Sequence, residues 1–351
     1  MNDRNKAAIR MAVLAACLYG VSAPFSKILL IRIPPTLMAA LLYLGAGTGM
    51  LVLRTLRQLG TPRRSEARLS RKDLPCTAAM VLLDILAPIL LMLGLSLASA
   101  ESTALLNNFE IVTTSLIALA VFNEAIGKRM WLAILLITAA SILLSIETIG
   151  RFRLSTGSVL VLLAGICWGF ENNCTRMLSM KDPLQIVMIK GLGSGFGALL
   201  IALAADDLRG GALYVVLALL LGSLSYGFSI FFYIRAQREL GAARTSAYYA
   251  VAPFVGVLVS WLLFRERITS QFLAALAVMA IGTWLAVSEK HVHTHRHAEL
   301  GHEHMHNHQD GHHMHSHEPS VEGEHCHEHT HPELSHRHPH TPDLHHRHTH
   351  R

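Results

Sequence analysis

The first 290 residues of this chain contain no histidine; all 23 lie from His291 onward. Cysteine is sparse, with five residues and no pair spaced as CxxC. That pattern offers neither a disulfide framework nor a thiolate zinc or redox motif. Charge is scarce as well, at 15% of residues. No glycine-rich phosphate-binding fingerprint is present, so direct powering by ATP is not expected. A lipoprotein-like box, Leu14-Ala15-Ala16-Cys17, follows an apolar run of only about six residues, against the ~7–15 of a signal peptide. It reads as the first part of an uncleaved helix.

What is abundant is apolar sequence, 52% of the whole. It falls into runs near the ~20 residues that a membrane-spanning helix needs. Ten are predicted, at 11–31, 35–53, 77–97, 103–122, 130–149, 157–177, 184–204, 212–234, 246–264 and 270–288. Residues 1–288 carry 25 basic and 14 acidic residues, a formal +11, and the remainder 5 and 10, a formal −5. The basic residues sit between apolar runs and not on a soluble face, which argues against nucleic-acid binding. Placing the N-terminus in the cytoplasm puts 17 Lys and Arg residues in inside segments and six in outside loops. By the positive-inside rule both termini are then expected in the cytoplasm, because the span count is even.

The apolar part repeats. Phe122-Asn123-Glu124 aligns with Phe264-Arg265-Glu266, Tyr19-Gly20 with Trp168-Gly169, and Lys27 with Arg176. Five spans per repeat make the two halves face opposite ways, a construction common in secondary transporters. The expected fold class is an all-α integral membrane protein of ten transmembrane helices in two inverted five-helix repeats. The domains are residues 1–150, residues 151–288 and a tail, 289–351.

Acids inside spans mark the candidate path. Asp84, Glu110 and Glu171 each cost ~2.5–3.5 kcal/mol at a helix centre, so an aqueous path or a partner is expected beside them. Thr103, Asn107, Glu110 and Thr114 recur at i, i+4, i+7 and i+11, one face of a continuous helix. Cys167, Glu171 and Cys174 share another face, beside Asn172 and Asn173. The expected substrate site is Asp84, Asn107, Glu110, Glu171, Asn172 and Asn173, holding a cation or exchanging protons. The competing account pairs the acids with Lys27 or Lys190 inside the bundle. Cys167 and Cys174 also suit simple packing.

The tail alternates histidine with other residues, and neutral imidazole is the commonest side-chain metal ligand. Its expected ligands are His291, His293, His295 and His297; His302, His304, His306 and His308; His312, His313, His315 and His317; and His325, His327, His329 and His331. With so few apolar residues it is expected to be disordered without metal. Nitrogen donors suit Ni²⁺, Co²⁺ and Zn²⁺.

The duplicated arrangement, the aromatic-Gly starts with a basic residue downstream, and Glu124 and Glu266 ending helices 4 and 9 resemble EamA-type transporters of the drug/metabolite transporter superfamily, over residues 8–288. Pro253 fits the pattern in helix 9, whereas Ile111 beside Glu110 departs from it in helix 4. The resemblance implies an exporter in the cytoplasmic membrane; with the tail, it is similar to nickel- and cobalt-exporting members. The expectation is therefore a secondary transporter, not an enzyme, that exports divalent transition metal by proton exchange. It requires no cofactor. Its partners are the bilayer and the metal ion, with a homodimer left open. An organic-metabolite exporter with a metal-sensing or metal-buffering tail is the alternative, and a membrane-anchored metal store or an importer are further ones.

Overall fold

Long apolar runs in a lipid-like setting close their backbone hydrogen bonds within each segment, which makes helices. A computed structural model of the chain describes residues 3–58, 69–122, 126–148, 153–178, 181–240, 245, 248–265 and 268–288, together with the backbone of four strands in the tail. In chain order the helices are α1 (Asp3–Gly20), α2 (Ser22–Leu29), α3 (Pro35–Gln58), α4 (Leu74–Leu97), α5 (Ala100–Leu106), α6 (Phe109–Phe122) and α7 (Lys128–Ser145). After a short antiparallel pair, β1 (Ile146–Thr148) and β2 (Arg153–Leu154), come α8 (Thr156–Leu178), α9 (Pro183–Ala204), α10 (Ala212–Gly222), a π-helical turn at Ser223–Phe228 and α11 (Ser229–Leu240). Then follow α12 (Ala252–Phe264) and α13 (Ser270–Val287).

Among the described residues, eight helical stretches are long and apolar enough to cross a membrane: 6–29, 35–56, 71–97, 100–121, 128–145, 183–204, 212–236 and 270–287. Two of the ten predicted runs are helical but fall short of that measure. The run at 157–177 forms α8, where Glu171, Asn172 and Asn173 in succession lower its hydropathy. The run at 246–264 yields only the shorter apolar helix α12. The first, fourth and seventh stretches are also not uniform helices. The first breaks at Val21, the fourth at Asn107-Asn108, and the seventh widens into the π turn.

Packing follows a pattern. The helix α3 lies on α9, α7 on α13, α4 on α8, and α1 on α11. The contacts α6 with α8 and α12 with α1 complete it. Exchanging the first half for the second maps α3–α9 and α7–α13 onto themselves, α4–α8 onto α1–α11, and α6–α8 onto α12–α1. Small residues let the pairs approach closely. A Cβ on Gly47 would fall 2.6 Å from the Leu192 nitrogen, and one on Gly222 2.0 Å from the Leu42 oxygen. The largest buried cluster runs through Met38, Leu42, Met92 and Leu95 between these helices. Outward side chains such as Leu82, Leu200 and Trp284 are well exposed, as a lipid-facing surface requires.

In the tail, β3 (His291–His297) pairs antiparallel with β6 (Leu334–His340), and β4 (Leu300–His306) with β5 (His325–His331). The composition predicts no independent fold there. The strict alternation, however, is also the period of a strand.

Candidate functional site

Asp84 lies near the middle of α4 and is fully buried. Its Oδ1 accepts from the Tyr43 hydroxyl at 2.9 Å and from the Trp168 indole at 3.2 Å. Its Oδ2 lies 3.1 Å from Lys190 Nζ. The same ammonium lies 2.9 Å from Glu171 Oε1, which also accepts from the Thr175 hydroxyl. One lysine of α9 thus joins carboxylates of α4 and α8. Burying a lone ion costs several kcal/mol, and pairing with further hydrogen bonds is what makes such a cluster tolerable. Lys27 takes a different role. Its Nζ donates to the carbonyls of Leu95 and Ala98 at 2.6 and 2.7 Å, at the C-terminal end of α4, where a cation meets the helix dipole favourably.

Glu110 is half-buried on α6 and accepts from the Asn172 amide. Asn172 also donates to the Thr114 hydroxyl at 3.3 Å, while Asn173 donates to the carbonyls of Gly169 and Thr114 at 2.8 and 3.2 Å. Glu110 is within electrostatic reach of Glu171 and Lys190. Of the six predicted site residues, the structure therefore gathers Asp84, Glu110, Glu171 and Asn172 around one region of α4, α6, α8 and α9. Asn173 is buried in backbone contacts instead.

The one-face reading of Thr103 to Thr114 is corrected. The helix breaks at Asn107-Asn108, so Thr103 on α5 and Glu110 on α6 belong to separate helices. Amide side chains compete for backbone groups and favour such junctions. The break turns Asn107 into a narrow cleft lined by Tyr19, Gly20, Ser22, Tyr226, Ala252 and Pro253, among others. The Asn107 Oδ1 is buried there and has no hydrogen-bond partner among the described residues. Four irregular points of the described bundle contribute to this wall: the α1–α2 break, the α5–α6 break, the π turn through Tyr226, and the start of α12. Irregular backbone at membrane depth is tolerated where it lines a cavity, and π turns gather at functional sites. Tyrosine rings continue from the cleft toward the acids. Tyr19 and Tyr226 have centroids 5.8 Å apart, and Tyr226 and Tyr43 5.5 Å.

Cys167 and Cys174 pack among apolar neighbours, as the simpler account expects. Among the described residues, no three His, Cys, Asp or Glu side chains form a group that could hold a metal ion. In the tail, the register places histidine opposite histidine: His293 faces His338, His295 faces His336, His302 faces His329 and His304 faces His327. His308, His312, His313, His315 and His317, like Glu124 and Glu266, lie outside the described residues. Sequence reasoning missed Tyr43 and Tyr226. It considered Lys190 only as a neutralising partner, although a lone cation within an apolar run is itself a signal.

The sequence model of the EamA-like transporter family matches this chain twice, at residues 6–146 and 155–288. The chain belongs to the EamA-like transporter family. Membership makes it a multi-pass membrane protein that transports and does not catalyse. An "uncharacterized transporter" of Methanothermobacter thermautotrophicus is 28% identical over 268 residues, which cover 72% of this chain and 78% of the relative. A solved crystal structure is similar with a TM-score of 0.57 at 14% identity, over 80% of this chain and 95% of that one. At that identity the likeness concerns the fold alone.

Proposed function

We propose that this EamA-family member exports a cation across the cytoplasmic membrane by exchange with protons, and that the cargo is a divalent transition metal, nickel or cobalt first. The observation that carries the cation reading is the charge balance of the buried cluster. Asp84, Glu110 and Glu171 outnumber Lys190 three to one, so the region is net negative when its groups are ionised. An anionic cargo would meet repulsion there. The histidine-rich tail supports metal over other cations, because imidazole and thiolate donors select borderline ions. Both termini lie in the cytoplasm in this reading, and the tail collects metal at the inner mouth. Alternating access moves the two inverted halves about the cleft, as in other secondary transporters.

A second reading has its own support. The cleft is walled by Tyr19 and Tyr226, and tyrosine faces attract organic cations. A metabolite or amino acid carrying a protonated amine would suit it, with the tail as a metal sensor or buffer.

Cellular metal content decides between the two. Cells carrying the full-length protein, a form lacking residues 289–351, or an empty vector are loaded in turn with Ni²⁺, Co²⁺ and Zn²⁺. Lower nickel or cobalt with both protein forms supports metal export through the helices. Unchanged content with both forms, or metal retained only by the tailed form, removes metal as the cargo.

A further inference from the structure

The strands of the tail are matched histidine to histidine. Within each strand the histidines alternate with other residues and so share one face. Across the strands each ladder holds three histidine pairs in succession, the four named above being completed by His291 with His340 and His306 with His325. The two ladders also keep one register. Continuing the pairing of His297 with Leu334 by three residues on each strand gives Leu300 with His331, the first pair of the second ladder. The sequence suits that register. Its histidines fall at odd positions in 291–297 and 325–331 and at even positions in 302–308 and 336–340, so a register that joins odd to even matches both ladders. A slip of one residue would set every paired histidine against another residue type.

Backbone pairing alone does not hold such a hairpin. A two-stranded ribbon is at best marginally stable in water. Glu303 lies directly opposite Glu328, and like charges in that position oppose closure. A cross-link of positive charge answers both. Opposed residues of an antiparallel pair have Cβ atoms ~4.5–5.5 Å apart, and the next pair on the same face lies ~6.4–6.8 Å along the strand. Two successive pairs therefore gather four histidines, two from each arm, at a spacing that one ion can bridge. The outer ladder offers His293, His295, His336 and His338, and the inner one His302, His304, His327 and His329. Imidazole sets of this kind suit borderline divalent ions such as Ni²⁺ and Zn²⁺.

We propose that divalent transition metal closes the tail into one long hairpin, each ion held by histidines of both arms. The inference rests on metal binding by the tail, and it holds for a metal cargo and for an organic one alike. Closure has a mechanical consequence. His291 follows the end of α13 at Val287 by four residues, whereas His340 stands at the far end of the second arm. Pairing the two returns β6 to the strand that leads out of α13. Metal occupancy thus sets whether the tail reaches away from the bundle or doubles back toward it, a switch driven by folding on binding.

Hydrogen–deuterium exchange of the full-length protein in detergent, with and without Ni²⁺ and in parallel with Zn²⁺, tests the proposal. Exchange is read in tail peptides, so a cation held among the helices does not enter the result. The variant H325N/H327N/H329N alters one arm of the inner ladder, and H336N/H338N/H340N one arm of the outer. H345N/H346N/H348N/H350N removes four histidines outside both ladders as a control, and unchanged exchange in α4 and α9 verifies the bundle. In wild type, metal is expected to slow exchange at least about tenfold in residues 291–306 and 325–340. The first variant is expected to lose that protection in the unaltered strand 300–306, the second in 291–297, and the control in neither. Protection that survives in the unaltered arm overturns the proposal, because each strand then binds metal alone. Equal exchange with and without metal overturns it too. Equilibrium dialysis with Ni²⁺ separates the two levels of failure. Extra nickel on the full-length protein relative to a form lacking residues 289–351, without protection across the arms, sinks the hairpin alone. Equal nickel on both forms sinks the tail's metal role with it.

Discussion

Tyr43 shows how one hydroxyl can matter in this bundle. It donates to a fully buried carboxylate, and a hydrogen bond to a charged group contributes about 1.5–3 kcal/mol. Tyr43→Phe should therefore destabilise the protein by about that amount, read as a lower melting temperature in detergent, while Lys190 keeps both partners. Asn107 poses the opposite case. Its buried oxygen has no partner among the described residues, so Asn107→Leu should leave stability unchanged or raised and reduce transport. A vesicle flux assay beside a thermal melt separates those effects, and unchanged flux would remove Asn107 from the path. Glu110→Ala and Asp84→Asn are each expected to abolish the lowering of cellular nickel or cobalt in the metal-content assay. The acids were legible in the sequence because an ionisable group in an apolar run stands out. The tyrosines were not, since an aromatic residue in a membrane helix is unremarkable until its neighbours are known.

Helices here are defined as much by where they stop as by where they run. The apolar runs announced their spans, yet hydropathy averages over windows and cannot register a one- or two-residue break. Val21, Asn107-Asn108 and the Ser223–Phe228 turn were invisible to it, and with them the cleft. The break at Asn107 also undid the expected single face from Thr103 to Thr114. Close helix crossings supply a test at this scale. A Cβ on Gly222 would meet the Leu42 carbonyl oxygen at 2.0 Å, whereas one on Gly211 would meet only the Tyr214 ring at 3.4 Å. Gly222→Ala is expected to cost about 1–3 kcal/mol through overpacking of α10 on α3, and Gly211→Ala very little. The fraction of monodisperse protein after extraction, followed with temperature, should separate the two variants clearly.

The molecule joins a bundle made of packed apolar helices to a tail made of alternating histidines. Their pH responses should differ. Imidazole ligates metal only when neutral, so Ni²⁺ binding by the tail is expected to weaken steeply between about pH 7 and about pH 5.5. A form lacking residues 289–351 should lose that component while keeping whatever flux the helices carry; dialysis with radioactive nickel across the pH range reads the first and vesicle flux the second. The sequence alone determined the membrane class, the duplication, the family and the histidine alternation of the tail. These are properties of composition and period, which survive averaging along the chain. Only the tertiary structure decided that Lys190 sits between Asp84 and Glu171, that Glu110 answers to Asn172, and that four irregular backbone points face one cleft. Those groups are separated by up to more than a hundred residues in the chain. Their meeting depends on which helix packs on which, a choice made by close-packed small residues and buried charge together.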